Sequence, residues 1–207
     1  MGRDTGGKCK LCRREGEKLF LKGDRCYSRN CAVARKSSPP GEGSKKRRPR
    51  RSQYQIHLRA KQKAKRTYGL RESQFRNYVA DAKRKKGVTG EALLGFLERR
   101  MDNMVYRSGL ATSRQQARQM ITHGHFELNG RATNIPSVQL REGDIVAVKE
   151  GRRSRVKAIV EAGQGRDIPG WIEANAEAMK FQLIAPPDVS QIGQTIEANL
   201  IVEFYSR

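Results

Sequence analysis

Between Ser73 and Lys86 the apolar residues Phe75, Tyr78, Val79 and Ala82 fall at i, i+3, i+4 and i+7, one helical face with Ser73 expected as its N-cap. Lys83 to Lys86 occupy the last turn, where cations suit the negative end of the helix dipole, and Gly87 suits the C-cap. The stretch before it, Ser52 to Thr67, also predicts a helix, but a poor one. Its apolar positions are Tyr54, Ile56 and Leu58, and Arg59, Lys61, Lys63, Lys65 and Arg66 ring the rest, so it is marginal alone. Thr89 opens a further helix that presents Leu93, Leu97, Met101 and Met104 or Val105 along one side. Ser113 caps a short helix through His123, apolar at Ala117, Met120 and Ile121 and ended by Gly124. The pattern then becomes alternating. Phe126-Glu127-Leu128 reads as a strand, Asn129-Gly130 as a hairpin turn, and Ile145 to Val148, after Gly143-Asp144, as another strand. Trp171 to Ile184 reads as a helix leading to a strand, and Ile196, Leu200, Ile201 and Phe204 as a helix face. No internal repeat is visible.

Charge changes this picture most. The 207 residues carry 43 Lys plus Arg against 21 Asp plus Glu, a net +22. Residues 1–100 hold 30 against 9, giving +21, and residues 101–207 hold 13 against 12, giving +1. A pI near 10.5 favours polyanions, nucleic acid first and an anionic membrane surface second. The densest run, Lys45-Lys46-Arg47-Arg48-Pro49-Arg50-Arg51, is expected to stay extended until counter-charge arrives. Only 36% of residues are hydrophobic, which argues against a large single-core enzyme. No segment approaches the roughly 18 uncharged apolar residues of a membrane span. We expect a soluble, intracellular protein with no membrane partner.

All four cysteines lie in residues 1–36. Cys9-x-x-Cys12 and the pair Cys26 and Cys31 are two close couples separated by a loop, a spacing that suits four thiolates around one tetrahedral zinc ion. Such a closed site supports folding, not catalysis. Lys8, Lys10, Arg13, Arg14, Lys22, Arg25 and Arg29 are expected to favour the thiolate forms. An iron–sulfur cluster uses the same ligands. A disulfide pair, which fits an intracellular chain poorly, and free thiols are the remaining readings.

The stretch from Leu97-Glu98-Arg99-Arg100-Met101-Asp102-Asn103-Met104 through Ser113-Arg114-Gln115-Gln116-Ala117-Arg118 to Ile121, with His123-Gly124-His125, Asn129-Gly130, Pro136-Ser137 and Gly143-Asp144, resembles the S4-type RNA-binding module. Lys10-Leu11-Cys12-Arg13-Arg14-Glu15-Gly16, Tyr68-Gly69, Gln74-Phe75-Arg76-Asn77, Lys86-Gly87-Val88-Thr89-Gly90 and the closing Glu203-Phe204-Tyr205-Ser206-Arg207 extend the resemblance to the bacterial ribosomal S4 family over nearly the whole chain. It implies an α+β fold: an N-terminal four-cysteine zinc knuckle and basic helical domain, plus a small helix-on-antiparallel-sheet RNA-binding module. The expected parts are a cysteine segment (1–36), a basic linker (37–53), a basic helical domain (54–96), the module (97–160) and a C-terminal segment packing back on the body (161–207).

The resemblance further implies a structural, non-enzymatic protein of the cytoplasmic ribosome. Such a protein binds the 5′ domain of 16S ribosomal RNA early, nucleates assembly of the small-subunit body, and lies beside neighbouring proteins, including S5, near where mRNA enters. It influences decoding accuracy, and some family members repress their own operon. Two other classes compete. An RNA-modifying enzyme carrying the module would need a catalytic domain for which few residues remain. A zinc-dependent DNA-binding regulator would need a groove-reading helix after Cys31, where the linker comes instead.

Arg114 and Arg118, four apart, project from one helical face whose N-terminus adds partial positive charge, a phosphate-binding surface that Arg107, Arg131, His123 and His125 extend. Ser113 and Gln115 belong to the same candidate set. In the basic half the candidate RNA contacts are Arg13, Arg14, Lys22, Arg47, Arg48, Arg50, Arg51, Arg59, Lys61, Lys63, Arg66, Arg76 and Lys83. Recognition is expected through phosphates and 2′-hydroxyls, because the deep major groove of duplex RNA hides its base edges. Tyr78 is expected in the core, Tyr54 and Tyr68 either there or stacked on bases. Asp102 and Asn103 lie near Arg99 and Arg107, where the Asp102 carboxylate is expected to orient an arginine by a paired hydrogen bond.

Overall fold

The computed structural model describes residues 6–36, 38–41, 52–162, 167–193 and 196–206. In chain order the helices and strands are α1 (Lys8–Glu15), α2 (Ala32–Arg35), α3 (Gln53–Thr67), α4 (Glu72–Arg84), α5 (Thr89–Glu98), α6 (Met101–Arg107), α7 (Arg114–Thr122), β1 (Phe126–Leu128), β2 (Arg131–Thr133), β3 (Ile145–Val148), α8 (Arg153–Ala162), β4 (Ile172–Asn175), β5 (Lys180–Leu183), α9 (Val189–Gly193) and α10 (Ala198–Phe204). The chain divides within α5 into two compact units, one of residues 1–94 with 189–207 and one of 95–188. Among the described residues no helix is long and apolar enough to cross a membrane.

In the first unit α3 is capped as expected, the Ser52 hydroxyl accepting from the Gln55 amide at 3.3 Å. Its scant apolar face is completed by the far end of the chain. α10 packs on α3, with Tyr54 beside Phe204 and the Lys61 ammonium 4.7 Å over the Phe204 ring. His57, buried on α3, meets Glu203 at 3.0 Å. α4 buries Phe75, Val79 and Ala82, a face contributing about 1.5–3 kcal/mol for each large side chain. Tyr78 is only half-buried, whereas Tyr68 is a core residue and Tyr54 is exposed. Ser73 is not the cap. α4 starts at Glu72 with Arg71 before it, because Lys61 and Lys65 of α3 hold the Glu72 carboxylate (2.6 and 2.8 Å) in the first turn. The helix also stops at Arg84, with Gly87 (φ +108°) in the loop beyond.

In the second unit five antiparallel strands form one sheet, ordered β2-β1-β3-β5-β4. Its register aligns the apolar positions: Phe126 faces Val148, and Val146 and Ala174 flank Phe181. Phe126, Val146, Val148, Phe181 and Leu183 are buried along with Met101, Met104, Ala117 and Ile121 of α6 and α7. Asn129-Gly130 makes the expected turn, both residues at positive φ (+49° and +75°). Asn129 also ties the loop to β3, its side chain accepting from the Ile145 amide (2.9 Å) and donating to Asp144 (2.8 Å).

Two expectations need correction here, and one element is new. The stripe from Leu93 to Val105 spans two helices, since the backbone leaves the helical path at Arg99 and Arg100 to bond with residues 136–140: Leu140 N–H to Arg99 carbonyl (2.8 Å), Met101 N–H to Val138 carbonyl (2.9 Å). Trp171 to Ile184 is a two-stranded hairpin, its turn closed by the Asn175 side chain accepting from the Ala178 amide (2.8 Å). α8 has no counterpart in the sequence reading, its arginine-rich opening hiding a short apolar set of Val156, Ile159 and Val160.

Candidate nucleic-acid interface

The sequence places Glu98-Arg99-Arg100-Met101-Asp102-Asn103 at the α5–α6 junction, and the structure turns this stretch into a buried polar hub. Arg100 and Asp102, 1% and 4% exposed, form a two-pronged pair: Arg100 donates from Nε (3.0 Å) and Nη2 (2.7 Å) to the carboxylate. Arg118 of α7 reaches the same carboxylate at 3.1 Å. Beside it the buried Glu98 accepts from Arg107 Nε and Nη2 (3.2 and 2.9 Å) and from Asn103 Nδ2 (2.6 Å). Asn103 Oδ1 in turn accepts from Arg114 Nε (2.7 Å), whose guanidinium lies 4.6 Å over the Tyr106 ring. Asp102 therefore orients Arg100 and Arg118, not Arg99 or Arg107, because the helix break at Arg99 changes which side chains face it. Arg107, Arg114 and Arg118 are each held from behind by the protein. Such paired, half-buried arginines are pre-organised, with little freedom left to lose on meeting a phosphate.

The α7 N-terminus is largely satisfied internally. The Ser113 hydroxyl accepts from the Gln116 amide (3.2 Å), and Gln116 Oε1 accepts from the Thr112 amide and hydroxyl (2.6 and 2.7 Å). Gln115, His123 and Arg131 are exposed, and His125 is half-buried.

In the other unit the basic candidates separate into held and exposed groups. Arg59 (3.3 Å) and Arg66 converge on the buried carboxylate of Glu15, and Lys63 meets Glu17 at 2.7 Å. Lys61 is buried against Glu72 and the two terminal aromatics. Arg13 donates to the carbonyls of Ser38 and Pro39 (2.9 and 3.3 Å). Arg14, Lys22, Arg76 and Lys83 are exposed, with Lys83 Nζ donating to the Tyr205 carbonyl at 2.8 Å. Arg47, Arg48, Arg50 and Arg51 lie outside the described residues, as does most of the linker 37–53.

The four cysteines are free thiols that line one cavity with Leu21 and Val33, and the Lys22 amide donates to Cys26 Sγ at 3.3 Å. Among the described residues no group of three or more His, Cys, Asp or Glu side chains is arranged to hold a metal ion as it stands. The surrounding cations do not dominate as expected. Burial pushes the Cys12 and Cys26 thiols up, outweighing the amides that favour thiolate. Burial also acts on Cys31, but the amides of Ala34 and Val33, with Lys18 and Arg25, bring its thiol down.

Comparison with known proteins covers both units. Residues 3–98 match the family described as ribosomal protein S4/S9 N-terminal domain, and residues 99–146 match the S4 domain. Over its whole length, and the whole of each relative, the chain is 50% identical to the small ribosomal subunit protein uS4 of Syntrophomonas wolfei and 51% to that of Desulforamulus reducens. It is 48% identical to that of Thermus thermophilus, again over the full length of both chains.

Proposed function

Since the chain belongs to the S4 family of small-subunit ribosomal proteins, which are structural proteins and not enzymes, we propose that it binds the 5′ domain of 16S ribosomal RNA and nucleates folding of the subunit body. The observation that carries this reading is the half-identity to uS4 proteins along the entire chain. The arginines that Glu98, Asp102 and Asn103 hold in place give it a physical basis, as does the +21 of residues 1–100. In the assembled subunit it would neighbour other ribosomal proteins, S5 among them, lie where mRNA enters, affect decoding accuracy, and in excess repress translation of its own operon. The test is a binding titration with a 16S 5′-domain fragment against DNA competitor. RNA is expected to win, with a log–log salt slope of roughly 0.7–0.9 per phosphate neutralised. Displacement by DNA as readily as by RNA would overturn it.

We also propose that Cys9, Cys12, Cys26 and Cys31 hold one structural zinc ion, an iron–sulfur cluster being the lesser candidate. Four free thiols facing one cavity are a donor set suited to zinc, and bound metal would supply folding free energy to a segment whose apolar cluster is only Cys12, Leu19 and Leu21 with Leu11 and Val33. Protein purified without added metal should carry about one equivalent of zinc, and under roughly 0.2 equivalents would sink the assignment.

A further inference from the structure

The end of α7 and the start of α8 gather two histidines and several cations, with Glu150 as the acid in the turn between them. Phe126 pairs with Val148, so the residues flanking that pair are neighbours, and the Lys149 amide donates to the His125 carbonyl at 2.9 Å. The Arg152 amide donates to the Lys149 carbonyl (2.9 Å), a tight turn that leads into α8 and leaves Arg152 and Arg155 near enough to His125 for their charge to act on it. The two imidazoles lie 6.5 Å apart. Burial first, then Arg152, Arg155 and His123, hold the His125 imidazole below the usual histidine range, and its Nδ1 is buried with no hydrogen-bond partner.

Two of the neighbouring cations are already claimed: Arg153 meets Glu150 at 3.9 Å and Lys157 meets Glu161 at 4.0 Å. Arg152 and Arg155 form no ion pair among the described residues. We propose that Arg152 and Arg155, which lie beyond the matched S4 domain ending at residue 146, join His123 and His125 within it to form a binding site for the phosphodiester backbone of RNA, a second contact of this unit. The proposal rests on the RNA-binding reading above. An arginine fork fits a phosphate in two-pronged fashion. Exposed positions around the corner, Gln119, Thr122 and Ser154, are polar, and they offer none of the apolar anchors on which protein interfaces rely.

The experiment titrates full-length wild type, the double variant Arg152→Gln/Arg155→Gln and the control Lys157→Gln against the 16S 5′-domain fragment at several salt concentrations. The double variant should bind about 10-fold or more weaker, with a salt slope lower by roughly 1.4–1.8, two phosphates' worth. Lys157→Gln should stay within about twofold. Equal affinity and slope for wild type and double variant would overturn the site. So would unchanged RNA affinity with impaired joining of neighbouring ribosomal proteins, which would make the corner a protein surface. If wild type itself fails to bind the fragment, the functional reading falls, and the site with it.

Discussion

Asp102 shows how much one side chain carries. Its carboxylate, buried with Arg100, neutralises that guanidinium and steadies Arg118 on the outer side. Removing one partner of a buried pair leaves the other charge unsolvated, at a cost of about 3–5 kcal/mol, far more than an exposed pair is worth. Asp102→Asn should lower the unfolding free energy by that order in a denaturant titration, while Arg153→Gln, whose pair with Glu150 is exposed, should stay within about 0.5 kcal/mol. Equal, small losses from both would show that the hub is not a buried pair in solution. Spacing alone suggested Arg99 or Arg107 as partners of Asp102. Helical neighbour rules fail there, because residues 99–102 spend their backbone bonds on residues 136–140.

Among the elements, the junction of α3, α4 and α10 depends on one carboxylate. Glu72 accepts from Lys61, Lys65 and the Tyr205 hydroxyl (2.6, 2.8 and 3.0 Å). Burial opposes its charge, but these three donors outweigh it and bring its pKa down to about 2 from 4.5. A carboxyl depressed on folding stabilises fully above its unfolded pKa, and that contribution is lost as pH falls from 4.5 toward 2. Glu72→Gln should therefore melt below wild type at pH 7, and the gap should close as pH drops through that window. Parallel melting curves down to pH 2.5 would refute the linkage. Elements with a full apolar stripe or a turn dipeptide were legible in the sequence: α4's buried face, α7 with its Ser113 cap, and the Asn129-Gly130 hairpin. So was a strand before Ile184, which is β5, but α8 and β4 were not. α8 opens with Arg153-Ser154-Arg155, and β4 interleaves Glu173 and Asn175 with only Ile172 and Ala174, so each takes its identity from partners distant in sequence. The site was legible as a set of arginines with Asp102 as an orienting carboxylate, but neither Glu98 as the second acid nor Arg100 and Arg118 as the partners of Asp102 could be read.

For the whole molecule, the question is whether its own ion pairs balance its charge. Glu15, Glu17, Glu72 and Asp81 already engage Arg59, Arg66, Lys63, Lys61, Lys65 and Arg84, and residues 1–100 still carry +21. Added salt has opposing effects on such a chain. It weakens exposed pairs worth roughly 0.2–1 kcal/mol each, and it screens repulsion among all the unmatched cations at once, over a Debye length that shrinks to about 10 Å at 0.1 M. With cations outnumbering acids 30 to 9 in that half, repulsion is the larger sum. The melting temperature of the RNA-free protein should rise between about 0.05 and 0.5 M salt, sulfate acting more strongly than chloride because it also binds the exposed cations. Calorimetry showing a fall with salt would mean that the internal pairs, not the unmatched charge, govern stability. A rise means that the free protein is held below its full stability by its own unmatched positive charge, so that any polyanion binding the folded chain would act as the missing counter-ion and stabilise it by mass action.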